Sequence, residues 1–296
     1  MNNNVIVATS LAFMVFIALI CVYRSHSIFR VSARNVGRSS WVSQSPAAPP
    51  FDFLPAAHKD FHDCDQLFSH DTAAAGFQLS PEYYNRLPDF KAAVNKSVVH
   101  ERVAGHTGIL FPEYKTIHYL AGRPNVHNIC ETGFNLGFSS FNYLTANRHA
   151  IVHTFDIGQH NYAHKMAAFL RNSYPNRFFI NFGDSTKTVP KFVQTHPNHR
   201  CDFIFVDGGH YYQAAMSDLL NMAAMANIDT DNIIVFDDYP ADRIFPQAGW
   251  AWENMRRWGY IRELFRCGFT TKKTHYCRGV CGFVVGTVVR RPSFNI

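Results

Sequence analysis

Residues 128–140 read Asn-Ile-Cys-Glu-Thr-Gly-Phe-Asn-Leu-Gly-Phe-Ser-Ser and predict a buried strand, a glycine turn and the start of a helix. The strand, placed at 126–131, is short and follows a Pro-Asn break, as an inner parallel strand does. Gly133 and Gly137 let the backbone turn sharply and pass close to a ligand, because glycine has no Cβ that forbids positive φ. Glu131 would then lie at the carboxyl end of the strand, where open α/β sheets bind ligands.

Apolar runs and helical segments alternate from this stretch to the C-terminus, which predicts an α/β fold with a parallel sheet covered by helices on both faces. The strands are predicted at 126–131, 151–156, 177–182, 202–207 and 232–237, and the helices at 138–146, 160–172, 186–195 and 211–226. Upstream, helices are predicted from Ser80-Pro81 onward and over 112–120. Residues 260–269 and 279–289 are predicted to form a final antiparallel pair of strands at one edge.

Length and composition favour one globular domain after an N-terminal segment. The chain has 296 residues, of which 47% are hydrophobic, enough for a sizeable core. Its net charge of +6 includes Arg24, Arg30, Arg34 and Arg38, so the rest is close to neutral. Nucleic-acid binding therefore has little electrostatic support, and no nucleic-acid partner is expected.

The N-terminus predicts a membrane anchor. Residues 5–22 are uncharged and apolar, and their length is at the short end of what crosses a bilayer. The basic N-terminal region and the cleavage site of a signal peptide are both missing. The arginines that follow favour a cytosolic domain by the positive-inside rule. The short anchor and the Ser/Ala/Pro-rich stem instead resemble those of lumenal type II Golgi enzymes, and a Golgi or ER lumenal domain is the preferred expectation. The predicted segments are a tail (1–4), an anchor (5–22), a stem (23–50), a helical extension (51–110) and the main domain (111–296).

The chain contains seven cysteines, at positions 21, 64, 130, 201, 267, 277 and 281. No Cys-x-x-Cys pair occurs, which argues against a structural zinc site. Cys130 and Cys201 fall in predicted strands and are expected to be small core residues. A disulfide among the last three, or from one of them to Cys64, is expected only in an oxidising compartment.

Acidic residues follow each of the later strands. Asp156 ends the second strand, nineteen residues after Gly137 and near the offset of about 20 at which an acid grips ribose hydroxyls. Asp184 and Asp207 follow the next two strands, and a pair of aspartates follows the fifth. Because parallel strands end at one rim, these acids predict a cleft lined with carboxylates. Helix capping is the alternative explanation for Asp184.

The adjacent pair Asp237-Asp238 suggests a metal site, because two neighbouring carboxylates repel unless a cation or donors neutralise them. With Asp207 they would offer the oxygen ligands that Mg²⁺, Mn²⁺ or Ca²⁺ prefers. A metal bound there would lower the pKa of a substrate hydroxyl. His210, three residues after Asp207, is placed to take the proton. Packing against the following helix is the alternative role for this histidine.

Taken together, these segments resemble the class I S-adenosylmethionine-dependent methyltransferases, and within them the metal-dependent O-methyltransferases that include macrolide-sugar and catechol-type enzymes. The segments are Glu-Thr-Gly-Phe-Asn-Leu-Gly (131–137), Asp156, Gly-Asp-Ser (183–185), Val-Asp-Gly-Gly-His-Tyr (206–211) and Phe-Asp-Asp-Tyr (236–239). The resemblance covers about residues 110–290. It implies a Rossmann-like, doubly wound, mostly parallel seven-stranded sheet whose last strand is antiparallel.

The resemblance also implies roles for single residues. The turn residues Glu131, Gly133 and Gly137 would border the methionine part of S-adenosylmethionine, and Asn135 would also bind this cofactor. Asp156 would bind the ribose hydroxyls and Asp184 the adenine edge. Asp207, Asp237 and Asp238 would hold Mg²⁺ or Mn²⁺.

One departure from the family concerns the base. Several sugar O-methyltransferases of this branch carry Asp-Gly-Asp where this chain has Asp207-Gly208-Gly209, and the second aspartate is the proposed general base. In this chain His210 would have to serve, or the metal alone would activate the hydroxyl. A second open question is the aromatic run Trp250, Trp252, Trp258 and Tyr260, which is either the core face of a helix or part of an acceptor pocket.

The preferred hypothesis is therefore a membrane-anchored O-methyltransferase acting on a glycan or sugar hydroxyl. Within the same class, a small phenol or a lipid-linked substrate at the cytosolic face is the alternative. A Rossmann-type oxidoreductase would also explain the glycine turn but leaves the aspartates after the fourth and fifth strands unexplained. An anchored binding module without activity is a third alternative. The expected partners are the acceptor, the membrane and, in a homodimer, a second copy of the chain.

Overall fold

The structure is a computed structural model that describes residues 77–99, 101, 103, 111–239, 247–271 and 279–293. The predicted tail, anchor and stem, and part of the predicted helical extension, lie outside these ranges. Within them, every helix is too short or too polar to cross a membrane. All described residues belong to the compact unit Pro49–Ile296.

The elements alternate as the sequence predicts. The helices are α1 (Pro81–Ser97), α2 (Phe111–Ala121), α3 (Phe138–Ala146), α4 (Asn161–Ser173), α5 (Ser185–Thr195), α6 (Tyr212–Ala224) and α7 (Ala248–Arg257). The strands are β1 (Asn128–Thr132), β2 (Ile151–Asp156), β3 (Phe178–Phe182), β4 (Phe203–Val206), β5 (Ile233–Phe236), β6 (Ile261–Thr271) and β7 (Gly279–Val288). They form one sheet in the order β3-β2-β1-β4-β5-β7-β6. Strands β1 to β5 are parallel and β7 is antiparallel to both β5 and β6, which confirms the predicted fold.

Ser80 caps α1, as the Ser-Pro-Glu pattern predicts. Its Oγ accepts a hydrogen bond from Tyr83 N at 3.2 Å and donates to Thr145 O at 2.6 Å. Its backbone N donates to His118 Nε2 at 3.0 Å, and the other ring nitrogen of His118 lies 2.6 Å from Asn142 Oδ1. Burial lowers the pKa of His118 to about 4, so the ring is neutral at pH 7 and joins α1, α2 and α3.

The core lies on both faces of the sheet. On one face the rings of Phe90 and Phe141 stack at a centroid distance of 4.2 Å and fasten α1 to α3. On the other face Trp250 and Trp252 of α7 are buried with the inner side of α6. Burial of the two tryptophans supports the core role proposed for the aromatic run.

Cys130 and Cys201 are buried in the core, as the sequence predicts, but the sequence analysis did not anticipate that they are joined. They form a disulfide that spans 71 residues of sequence. Strand β1 pairs with β4 in a parallel register, and Cys201 lies two residues before β4 begins, where the chain enters this pairing. Such a register is not readable from single apolar runs. Cys267 is also disulfide-bonded, whereas the side chains of the last two cysteines and of the one at position 64 lie outside the described residues.

Candidate active site

The carboxyl ends of the inner strands lie side by side, and backbone hydrogen bonds continue the sheet one residue beyond them. Gly133 N donates to Phe155 O at 2.9 Å, and Asp207 N donates to Thr132 O at 3.0 Å. Asp237 N donates to Val206 O at 3.1 Å. The sheet therefore presents the glycine turn, Asp207 and Asp237 along one rim.

The turn after β1 needs glycine at two positions. Gly133 has φ +94°, and a Cβ there would lie 1.8 Å from the backbone oxygen of Asp207. Gly137 has φ +74°, and a Cβ there would lie 2.7 Å from the ring of Phe134. Asn135 between them is also left-handed, at φ 48°. The turn is therefore packed against the end of β4 so closely that only backbone fits between them.

Asp156 joins the turn to the end of β2. Its Oδ2 accepts a hydrogen bond from Asn135 N at 2.9 Å, and its Oδ1 accepts one from Gly158 N at 2.7 Å. The residue is partly exposed. This geometry suits a carboxylate that is held rigidly beside a ligand, as the predicted ribose contact requires.

Glu131 is fully buried beneath the turn and faces the start of α3. The Oγ atoms of Ser139 and Ser140 both donate to its carboxylate, the second at 2.6 Å, and Tyr143 OH donates at 3.3 Å. Burial raises its pKa to about 7, against the opposing effect of these hydrogen bonds. The structure thus shows Glu131 holding the turn onto α3, and its predicted contact with the methionine part stays a prediction.

Asp184 caps α5. Its Oδ1 accepts hydrogen bonds from the N and Oγ1 of Thr186 at 3.0 and 2.6 Å, and Lys187 Nζ lies 3.3 Å from its other oxygen. Partial burial acts to raise its pKa, but the hydrogen bonds and the lysine charge outweigh burial and lower it. The alternative capping role is therefore present in the structure, and the adenine contact stays a prediction.

Carboxyl groups crowd the middle of the rim. Asp207, Asp237 and Asp238 are half-buried there. Burial, and then the neighbouring charges of Asp237 and Asp238, raise the pKa of Asp207 well above its usual range. Burial and the charge of Asp238 raise the pKa of Asp237 to about 7.

The structure adds Glu113, which the sequence analysis missed. It lies in the first turn of α2, is 4% exposed, and its Oε1 has no hydrogen-bond partner. Burial, and then the charges of Asp237 and Asp238, raise its pKa well above the usual range. It is 94 residues before Asp207 in the sequence. An acid in the first turn of a helix is ordinary, so only the fold reveals that it joins the rim.

His210 contacts Asp238 at the rim. Its Nδ1 forms an ion-pair contact with Asp238 Oδ2, and the two side chains are 41% and 35% exposed. Asp238 adopts a left-handed φ of 57°, which is uncommon for a residue other than glycine. A carboxylate on one ring nitrogen fixes the orientation of an imidazole, so the structure holds His210 at the open side of the rim.

A hard divalent cation fits this site by donor chemistry, because all the crowded groups are carboxylates and Glu113 has an unpartnered oxygen. The spacing is wider than in a preformed cage. Within the described ranges, the group of three potential ligands with donor atoms all within 4.8 Å of one another is Cys130, His199 and Cys201. The two sulfur atoms of that group are joined in the disulfide. A cation at the rim would therefore have to draw the carboxylates together.

The loop after β4 explains the departure at Gly209. A Cβ at Gly209 would lie 2.4 Å from the Cβ of Ala214 in α6. A Cβ at Gly208 would lie 2.5 Å from Oδ2 of Asp218, a buried carboxyl whose pKa burial raises to about 6. Close packing of α6 beneath the loop thus leaves no room for the second aspartate of the Asp-Gly-Asp pattern.

A polar network holds the end of β5 in place. Tyr239, directly after the aspartate pair, is buried, donates its OH to Glu253 Oε1 and receives Arg266 over its ring at 5.0 Å. Its backbone N donates to Gly282 O in β7 at 2.9 Å. The aspartate pair is therefore fixed between the sheet and α7.

Comparison with known proteins agrees with this architecture. A family described as a methyltransferase domain matches residues 130–239, a range that contains the turn, the rim aspartates and His210. Among proteins with curated functions, none matches the chain.

Solved structures share the fold at low sequence identity. A cofactor-bound protein, Rv0187 from MTB, is 19% identical with a TM-score of 0.52, over 78% of this chain and 99% of its own. The O-methyltransferase TomG from Streptomyces achromogenes, in complex with SAM, is 15% identical with a TM-score of 0.52, over 78% of this chain and 100% of its own. Residues 130–239 therefore match a methyltransferase domain, as the motifs predict, and the chain shares the fold of these cofactor-bound structures.

Proposed function

We propose that the chain is a membrane-anchored O-methyltransferase that transfers the methyl group of S-adenosylmethionine to a hydroxyl group of a glycan or sugar. The observation that carries this proposal is the contact between the Gly133 turn and the backbone of Asp207, which brings a cofactor-type turn and a group of carboxylates to one rim. TomG, a structural neighbour, is described as an O-methyltransferase, and this supports a hydroxyl acceptor.

The proposed reaction is an in-line displacement. The acceptor oxygen attacks the sulfonium methyl carbon, a C–O bond forms, the S–CH₃ bond breaks, and S-adenosylhomocysteine leaves with the electron pair of that bond. The hydroxyl proton passes to His210, which Asp238 orients. Asp207, Asp237 and Asp238 would hold a divalent cation, whose charge would favour the alkoxide form of the acceptor. Positioning of acceptor and cofactor on one rim supplies most of the remaining rate enhancement.

The disulfides support a lumenal location. Disulfides persist in oxidising compartments and are rare in the cytosol, and both Cys130–Cys201 and Cys267 are disulfide-bonded. This favours the Golgi or ER lumen, where glycans are accessible, over cytosolic action on a phenol or lipid-linked substrate. Protease treatment of sealed microsomes containing the full chain tests the orientation. We expect the domain to be protected until detergent is added, and digestion in intact vesicles would contradict a lumenal location.

Cofactor binding is the first test of the enzyme hypothesis. Calorimetry on the detergent-solubilised full chain should show S-adenosylmethionine binding, and Asp156→Ala should weaken it about tenfold or more through loss of two charged hydrogen bonds. Asp89→Ala, the same change at an exposed position of α1, is the matched control and should bind normally. If the folded wild type binds no cofactor, the proposal fails and the silent binding module becomes the better account.

Methyl transfer then tests the acceptor class. Labelled S-adenosylmethionine would be incubated with free glycans, sugar derivatives and simple catechols, with added Mn²⁺ and with chelator. We expect label on glycans or sugars and a loss of transfer with chelator. Transfer to catechols alone would refute the glycan assignment, and full activity in chelator would refute the cation.

A further inference from the structure

Glu113 is a buried carboxyl group in an unusual state. It is 4% exposed and comes from α2, an element outside the sheet. One of its oxygen atoms is buried without any hydrogen-bond partner. Burying a carboxyl group in this way costs free energy unless a partner compensates. A structure that keeps such a group therefore indicates that a partner binds there.

The charged groups near Glu113 indicate what kind of partner would bind its unpaired oxygen. The charges that act most strongly on Glu113 are those of Asp237 and Asp238, and its own charge acts in turn on Asp207. Glu113 therefore lies near enough to the three aspartates for their charges to act on one another. A hydrogen-bond donor would relieve one carboxylate, but four converging carboxylates call for positive charge.

We propose that Glu113 is a fourth carboxylate ligand of the cation site at the rim, contributed by α2 to a divalent cation that prefers oxygen, such as Mn²⁺ or Mg²⁺. The inference rests on the cation of the proposed function and adds a ligand that the motifs of the sheet do not contain. Oxygen ligands in this number are usual for hard cations.

The open spacing of the rim is consistent with this role. No three carboxylates of the described residues place one oxygen each within 4.8 Å of one another. Binding would shorten these distances, and the unpartnered Oε1 of Glu113 can join without breaking a hydrogen bond. Glu113 therefore offers a ligand oxygen without the loss of a hydrogen bond within the protein.

The test uses Glu113→Gln, which keeps the shape and removes the charge. Mn²⁺ binding to the detergent-solubilised full chain would be measured by calorimetry and by the loss of the free Mn²⁺ signal in electron paramagnetic resonance. We expect the wild type to bind and the variant to bind about tenfold more weakly or worse. Without metal, the variant should unfold at a higher temperature than the wild type, because one repelling buried carboxyl is gone.

The matched control is Glu82→Gln, the same change at an ion-paired surface position of α1, which should leave Mn²⁺ affinity unchanged. Glu113→Asp, which keeps the charge on a shorter side chain, should retain more affinity than Glu113→Gln. If the wild type binds Mn²⁺ and Glu113→Gln binds it equally, or if Glu113→Gln lowers the metal-free unfolding temperature, Glu113 is a structural residue and this inference is wrong. If the folded wild type binds neither Mn²⁺ nor Mg²⁺, the cation of the proposed function fails as well.

Discussion

Two sites that contain acidic side chains lie at the ends of neighbouring strands, and they differ in the groups that surround the carboxylates. Glu131, at the end of β1, accepts hydrogen bonds from Ser139, Ser140 and Tyr143. Asp207, after β4, faces other carboxyl groups. Burial raises the pKa of both acids, so burial alone does not distinguish them. The partners do, because hydroxyl donors complete one site and converging carboxylates leave the other without counter-charge.

The difference separates a structural acid from a ligand-binding one. The Glu131 site is complete within β1 and α3 and needs nothing from solution. At the rim, Asp207, Asp237 and Asp238 follow β4 and β5 at half-buried positions that solvent reaches, and the buried Glu113 comes from α2. Removal of charge should therefore have opposite effects on stability at the two sites.

The largest effect is expected at the complete site. Glu131→Ala would leave three buried hydroxyl donors without an acceptor and open a cavity, so the free energy of unfolding should fall by about 3 kcal/mol. Glu131→Gln should cost less, because its amide oxygen still accepts a hydrogen bond. Urea unfolding at pH 7 measures both variants. A Glu131→Ala variant as stable as the wild type would remove the structural side of the comparison.

The next effect concerns the loop between the two sites. Gly209→Asp would restore the Asp-Gly-Asp pattern, but its Cβ would lie 2.4 Å from that of Ala214. We expect overpacking to lower the free energy of unfolding by about 2 kcal/mol. Urea unfolding of this variant beside Asp229→Asn, a change at an exposed position, checks it. If Gly209→Asp is as stable as the wild type, α6 can shift to make room for the new side chain. Packing then does not explain why the second aspartate is missing.

The sequence predicts the sheet well and the site less completely, for a physical reason. Strands and turns leave local signals, so the alternation, the Ser80 cap and the left-handed positions at Gly133 and Gly137 follow from short segments. Acids at strand ends also follow, since topology brings those ends to one rim. These features need no knowledge of packing between distant segments.

What the sequence could not give depends on such packing. Glu113 reaches the rim only because α2 packs beside the sheet, and the Cys130–Cys201 disulfide depends on the register of β1 and β4. Ser139 and Ser140, which donate hydrogen bonds to Glu131, lie in the segment 128–140 that predicts the first strand and turn. Their role was missed because a Ser-Ser pair at a helix start is commonly explained by the helix alone.

The buried histidine His118 is a third site for comparison. Its effect on stability should have the opposite pH dependence to that of an acid whose pKa burial raises. Burial lowers the pKa of His118 to about 4, so the unfolded chain binds this proton more readily and stability falls as the pH drops from about 6.5 toward 4. The loss should reach about 2 kcal/mol at pH 5. His118→Gln removes this titration. Urea unfolding measures the difference in free energy of unfolding between the wild type and this variant. That difference should shrink by about 2 kcal/mol between pH 7 and pH 5. An unchanged difference would contradict the prediction.

The smallest effect is the most direct test of the comparison. Burial and Asp238 raise the pKa of Asp237 to about 7, so the folded chain holds this proton more tightly than the unfolded chain. Its contribution to stability is therefore full at low pH and is lost as the pH rises from about 4 through 7. Asp237→Asn should raise the metal-free free energy of unfolding at pH 8 by about 1 kcal/mol, after allowance for partial exposure.

At pH 5 the same substitution should change the free energy of unfolding little. In Mn²⁺, which stabilises the wild type, the substitution should no longer raise the free energy of unfolding above that of the wild type. Urea unfolding at both pH values, in chelator and in Mn²⁺, separates these cases, with Asp229→Asn as the exposed control. A destabilising Asp237→Asn at pH 8 in chelator would place this acid with Glu131 as a structural group. A stabilising one would mean that the chain keeps an unfavourable charge at the rim, which is expected only of a group retained for a ligand.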